Sequence, residues 1–250
     1  MSRKQLTIDD VELCQTEDQS WTVLHKELNA HYRSMHGAES ESEWVFINGT
    51  KLTTQSVWNI VELGFGLGTN LSTVLGIRER LKSPPPLHYI GIDHQPVSSS
   101  LVNKLMPESN HREWLVDLLK QIESGSKIGV VDIATENIRL ELHASDVSEI
   151  HIKKSWVTSF FHDPFGPNTN PESWTLEVFQ KIHSWMTPHG ILATYGAAGH
   201  ARRAMASAGF WTAATKGFGR KREMTIASRS ANSLSHGTLI KKYPPFMEPT

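Results

Sequence analysis

Cysteine and unbalanced charge are both scarce in this chain. A single cysteine, Cys14, stands in 250 residues, so no intrachain disulfide framework can form and a reducing compartment is expected. The net charge is −1 with 20% charged residues, so composition announces no polyelectrolyte partner. No apolar run approaches the roughly 18–20 residues of a membrane helix. The opening residues 1–6 lack the apolar core of a signal peptide. A cytoplasmic protein without a membrane partner is the expectation. The 13 histidines include no His-x-x-x-His spacing, and one cysteine cannot make a Cys-x-x-Cys pair, so no metal site is expected. No internal repeat is visible. What is present is length, enough to bury one large core or a core with an appendage.

The stretch 57–71, VWNIVELGFGLGTNL, organises the rest. It reads as a buried strand ending in Glu62, a loop with glycine at 64, 66 and 68, and the start of a helix. Glycine is needed where φ is positive or where backbone must lie flat against a ligand. The helix start adds unpaired N–H groups and the positive end of a dipole. A nicotinamide fingerprint, Gly-x-Gly-x-x-Gly, would place its third glycine one position later. An acid beside the loop suits a cationic, hydroxyl-bearing ligand better than a pyrophosphate. S-adenosyl-L-methionine (SAM), with its sulfonium, ammonium and ribose, meets that description. A glycine-rich turn without a ligand is the plainer alternative.

Residues 1–56 are polar and acidic and read as an N-terminal appendage, with one strand at 44–47 closed by Asn48-Gly49. The main domain is expected over 57–229. A helix runs from the glycine loop to the proline block at 84–86, and a short apolar strand then ends in Asp93. Asp93 stands near the spacing at which an acid meets ribose hydroxyls, or else it caps the next helix. One helix is expected over 97–124, then strand pieces leading to Asp146, which either faces an adenine amino group or caps a helix. Strands at 156–161 and 191–195, a helix from 171, a short helix near 199–208 and two closing strands follow. The tail, 230–250, is expected to be loosely ordered. This alternation predicts an α/β fold with a doubly wound, mainly parallel sheet, whose ligands sit beyond the carboxyl ends of the strands. Glu62, Asp93, Asp146 and Asp163 all fall at such ends. A pocket of Glu62, Gly64, Gly66, Gly68, Asp93 and Asp146 is the expected SAM site.

Asp163-Pro164-Phe165-Gly166 resembles the Asp-Pro-Pro-Tyr/Phe loop of amino-group methyltransferases. A sulfonium methyl is taken by a nitrogen lone pair, yet an alkylamine is mostly protonated at pH 7. A carboxylate can accept the amine N–H and its surplus proton. Phe165 could stack on a planar base. The alternative has Asp163 capping a turn and Phe165 packed in the core.

The segment Glu62-x-Gly64-Phe65-Gly66-x-Gly68-x-Asn70 is similar to that of the methyltransferase half of MnmC and its stand-alone relative MnmD. The likeness continues through Asp163-Pro164-Phe165-Gly166-Pro167, Asn170-Pro171-x-x-Trp174, Ala197–Arg203 and the run Gly217–Met224, GFGRKREM. The resemblance implies a class I SAM-dependent methyltransferase fold of Rossmann-like type. It also implies methylation of 5-aminomethyl-(2-thio)uridine at the wobble position of tRNA. By the same resemblance Asp163 is the catalytic carboxylate with Phe165 beside it, and Glu62, Gly64, Phe65, Gly66, Gly68, Asn70 and Asp93 hold SAM. Two departures stand out: Pro164 replaces a small residue, and Asp93 stands where MnmC carries Glu. With 250 residues there is no room for the FAD-dependent oxidase half, so a separate enzyme is expected to supply the aminomethyl uridine.

Charge is segregated within the near-neutral total. From His200 to Arg229 seven basic residues oppose one acid, a local +6 that leaves −7 for the remainder. Arg202, Arg203, Lys216, Arg220, Lys221 and Arg222 are therefore the expected tRNA contacts. Two other readings stay open: a SAM-dependent or polyamine-type transferase acting on a small amine, and a SAM- or RNA-binding module without turnover.

Overall fold

The computed structural model describes residues 5–19, 21–106 and 108–246. Three short antiparallel strands, β1 (Val11–Gln15), β2 (Trp21–His25) and β3 (Ala30–His31), form a small N-terminal sheet. Helix α1 (Ala38–Ser42) runs into a π-helical turn, Glu43–Asn48. The region read as a strand at 44–47 is therefore helical. A short apolar run fits a buried helix as well as a strand, and tertiary packing decides here: Val45, Phe46 and Ile47 are buried, with the Phe46 ring 5.2 Å from Phe161 of the main sheet.

The main sheet is built from β4 (Trp58–Leu63), α2 (Thr69–Glu79), β5 (Leu87–Ile92), α3 (Ser99–Leu105), α4 (Asn110–Glu123), β6 (Ile128–Ile133), β7 (Ile138–His143), β8 (Val157–His162), α5 (Leu176–Trp185), β9 (Met186–Thr194), α6 (Gly199–Ser207), β10 (Trp211–Lys216), β11 (Glu223–Ser228) and β12 (Thr238–Leu239). The strand order is β12-β10-β11-β9-β8-β4-β5-β7-β6. The five central strands are parallel, and antiparallel strands close both flanks. Side chains alternate between faces along each strand. Ile60 and Phe161 join the core under α2 and α4, whereas Val61 and Phe160 join the core under α5 and α6.

The helix expected over 97–124 is two helices. Met106 precedes Pro107 and is extended (φ −99°, ψ 140°), as a following proline demands. Ser109 then caps α4 by accepting the Arg112 N–H at 3.2 Å. The tail is more ordered than its composition suggests: residues 231–234 make a 3₁₀ turn and β12 pairs with Ala213 and Ala214. A short strand here covers what would otherwise be the open edge of β10. Residues 247–250 lie outside the described part of the chain.

Strand order reverses between β4 and β8. A crevice opens at such a switch point beyond the strands' carboxyl ends, and the glycine loop and the Asp163 loop lie side by side at it.

Candidate active site

The glycine loop owes its shape to close backbone contact. Gly64 has φ +89°, and a Cβ there would lie 2.5 Å from the Asp163 carbonyl oxygen and 2.8 Å from Pro164 Cα. Gly66 has φ +53° and lies against the Tyr32 ring. Asp163 donates its N–H to the Leu63 carbonyl at 2.9 Å, so the two loops are joined at the ends of β4 and β8. They wall a cavity of about 720 Å³, a size usual for cofactor and substrate sites.

Gly64, Phe65, Gly66, Asp93, Asp146, Asp163 and Phe165 all line this cavity, as does Lys221. Asp93 accepts the Gly66 N–H at 2.9 Å through one oxygen and the Gln95 N–H at 2.9 Å through the other. Asp146 both lines the cavity and caps a 3₁₀ turn through Ser148 N–H at 2.9 Å, so its two readings coexist. Phe165 is half-buried with its ring 5.0 Å from Tyr32, edge to face, and 6.3 Å from His25. The Pro164 carbonyl accepts the Tyr195 hydroxyl at 2.7 Å, so this candidate acceptor for an amine N–H already has a partner.

Three of the expected SAM contacts stand behind the wall. Glu62 shares its sheet face with Trp58 and Ile60, and it is fully buried against Tyr89, whose hydroxyl donates at 2.6 Å. Gly68, at φ +73°, opens α2 where a Cβ would meet Leu115 at 2.3 Å. Asn70 donates through one Nδ2 to Glu62 at 2.5 Å and to Asp163 Oδ2 at 3.0 Å. It thus ties the strand-end acid to the Asp163 loop.

The residue that sequence reasoning missed is Arg33. It follows β3, and its Nη1 lies 2.6 Å from Asp163 Oδ2 while Nη2 lies 3.9 Å from Glu62. Its side chain is 5% exposed. The only signal for it was a basic residue in an acidic segment, with no spacing to connect it to Asp163. Burial pushes the Asp163 carboxyl up to about 7, against the opposite pull of Arg33. Burial likewise raises Glu62 to about 8, again opposed by Arg33. His162, at the end of β8, is buried against Trp174 and Phe179, and burial lowers it to about 4, so it is neutral.

The basic residues separate. Arg202 is bound to Glu223 at 3.2 Å and to Thr225 at 2.9 Å, with a side chain 11% exposed. Arg203 meets Tyr243, and the Lys216 ammonium lies 5.8 Å over the Trp44 ring. Lys221 sits 3.6 Å from Glu41 and 4.0 Å over Tyr195. Arg220 and Arg222 are exposed.

Against known proteins, the family described as S-adenosyl-L-methionine-dependent methyltransferase matches residues 109–230. The tRNA 5-methylaminomethyl-2-thiouridine biosynthesis bifunctional protein MnmC of Aeromonas hydrophila is 28% identical over 232 residues, 85% of this chain and 35% of that protein. Its counterpart in Marinomonas sp. is 27% identical over 205 residues, 77% of this chain and 30% of that one. The crystal structure of MNMC2 from Aquifex aeolicus superposes with a TM-score of 0.71 at 26% identity, covering 95% of this chain and 73% of that chain. The chain resembles the methyltransferase half of MnmC. It spans about a third of the length of these MnmC relatives. The spermidine synthase of Thermotoga maritima shares the fold, with a TM-score of 0.56 at 10% identity and coverage of 91% and 72%.

The MnmC-like fold is that of a class I SAM-dependent methyltransferase with a small N-terminal sheet attached, and the family description makes SAM the cofactor. The cavity suits it. Gly64 and Gly66 leave backbone where a side chain would intrude, and Asp93, Asp146 and Asp163 supply carboxylates toward cationic and hydroxyl groups. No helix among the described residues is long and apolar enough to cross a membrane.

Proposed function

We propose that the protein methylates the amine of 5-aminomethyl-(2-thio)uridine at the wobble position of tRNA, with SAM as the donor. The observation that carries this reading is Asp163: a buried, ion-paired carboxylate that lines the cavity beside the glycine loop. When bound, SAM supplies a methyl group on a sulfonium that a nitrogen lone pair can take. Asp163 accepts an amine N–H, aims the lone pair and receives the proton that the methylated nitrogen must lose. A carboxyl held near 7 by burial is suited to that exchange near neutral pH. Phe165, with Tyr32 and His25 around it, offers an aromatic surface to the splayed-out base. Asp93 and the glycine loop hold the donor, and much of the rate gain comes from positioning the two reactants.

The small-amine alternative draws on the spermidine synthase fold. The test is transfer of labelled methyl from SAM into tRNA bearing aminomethyl uridine, compared with unmodified tRNA and with short diamines. Label in the first alone supports the reading, and label in diamines alone overturns it.

Two smaller predictions belong here. Asp93→Ala should weaken SAM binding by about 1.5–3 kcal/mol in calorimetry, the worth of hydrogen bonds to a charged group. Unchanged affinity would remove Asp93 from the site. For the partner, Arg220→Ala with Arg222→Ala should weaken tRNA binding and flatten its log–log salt dependence by roughly 0.7–0.9 per lost phosphate contact. Arg202→Ala should instead lower the melting temperature, since its guanidinium is committed to Glu223 and Thr225. A tRNA affinity indifferent to salt would refute the patch.

A further inference from the structure

We propose that Arg33 is a positioning residue for the acceptor carboxylate: it pairs with one oxygen of Asp163, favouring the ionised form and leaving the other oxygen available to the acceptor amine. The inference rests on the methyl-transfer reading above. Both protein partners of the Asp163 carboxylate, Arg33 and Asn70, take the same oxygen, Oδ2, at 2.6 and 3.0 Å. Among the described residues no partner is found for Oδ1, and Asp163 lines the cavity. The planar guanidinium places Nη1 against Asp163 and Nη2 toward Glu62 at 3.9 Å, so one group spans both acids, which a single ammonium does not.

The charges around Asp163 show why a cation is needed. Glu41 comes from α1, Glu62 from β4, Asn70 from α2, Tyr89 from β5, Tyr195 from the end of β9 and Lys221 from the β10–β11 loop. Lys221 is half-exposed and pairs with Glu41 at 3.6 Å. That leaves Arg33 as the buried cation serving Glu62 and Asp163 together. Without it neither buried acid would have a counter-cation, and the ionised form of each would be harder to reach. Arg33 is itself held in place: its N–H donates to Thr22 at 3.0 Å, and its guanidinium lies 5.7 Å over the Phe46 ring. On this account the N-terminal sheet completes the site by presenting Arg33.

The test compares wild type, Arg33→Lys and Arg33→Met. Carbon-13 NMR follows the Asp163 carboxyl through a pH titration without substrate, its resonance assigned with Asp163→Asn. Activity is read as kcat against pH, and SAM affinity by calorimetry. In Arg33→Met the Asp163 midpoint should rise by about 1–3 pH units, the range that an opposite charge at this distance controls. Kcat at pH 7 should fall by about 10–1,000-fold, and its acid limb should shift upward with the midpoint. Arg33→Lys should return most of the midpoint yet recover kcat only in part, with SAM affinity within about twofold of wild type in both variants. Should Arg33→Met fail to fold, the lysine variant still separates charge from the reach of one planar group to two acids. An Asp163 midpoint that moves in neither variant, or a kcat profile unchanged in Arg33→Lys together with an unmoved midpoint, overturns the proposal. Absence of methyl transfer by wild type would defeat the substrate reading, while the titration would still decide the role of Arg33.

Discussion

Replacing Asp163 by asparagine is expected to lower kcat on aminomethyl-uridine tRNA by about 10²–10⁴-fold, the usual worth of a positioned proton acceptor. SAM affinity should stay close to wild type. The amide keeps an oxygen that can accept a hydrogen bond, and its shape differs little from the carboxylate. It cannot take the proton that the methylated amine must lose, and it gives Arg33 no charge to pair with. The substitution also relieves the crowding of acids, since Glu62 would then have Arg33 to itself. Loss of one partner of a buried ion pair costs stability, so a thermal melt accompanies the assay, and a rate loss in folded protein that binds SAM is read as chemistry. Single-turnover methyl transfer with saturating tRNA is the measurement. Full kcat in Asp163→Asn would mean that the carboxylate is not the proton acceptor.

A comparable loss is expected from a single methyl group at Gly64. Alanine at φ +89° costs about 1–2 kcal/mol in backbone strain alone. Its Cβ would also lie 2.5 Å from a backbone oxygen of Asp163, where no flexible side chain can yield. The two loops must separate, and a shift of about 1 Å in the acceptor carboxylate is worth on the order of 10² in rate. Gly64→Ala should thus lose both stability and turnover. Gly76→Ala in α2 is the control: it has no atom within 4 Å of the new Cβ and should stabilise by roughly 0.5–1 kcal/mol through helix propensity. Thermal melts and kcat on the two variants check this. Wild-type turnover in Gly64→Ala would show that the loops are not pressed together.

Much of this architecture was legible before any coordinates. The apolar strands ending in acids, the glycines at alternate positions and the alternation of strand and helix place the cavity where it is found. What misled was local ambiguity. The run at 44–47 is as apolar as a strand, and its burial against the main sheet, Phe46 on Phe161, is what a local pattern cannot show. Glu62 was expected in the pocket because it ends a strand, yet period-two alternation already puts it on the face of Trp58 and Ile60, toward Tyr89. Arg33 was invisible because its value lies in a contact between segments far apart in the chain. The basic patch was counted correctly as charge, but counting cannot tell Arg202, tied to Glu223, from Arg220 at the surface.

The most direct test of the central claim is mass spectrometry of nucleosides from tRNA carrying aminomethyl uridine, after incubation with the protein and isotope-labelled SAM. The account predicts one labelled methyl on the aminomethyl nitrogen, absent when Asp163→Asn replaces wild type. An unlabelled wobble nucleoside, with folded protein that binds SAM, would contradict it.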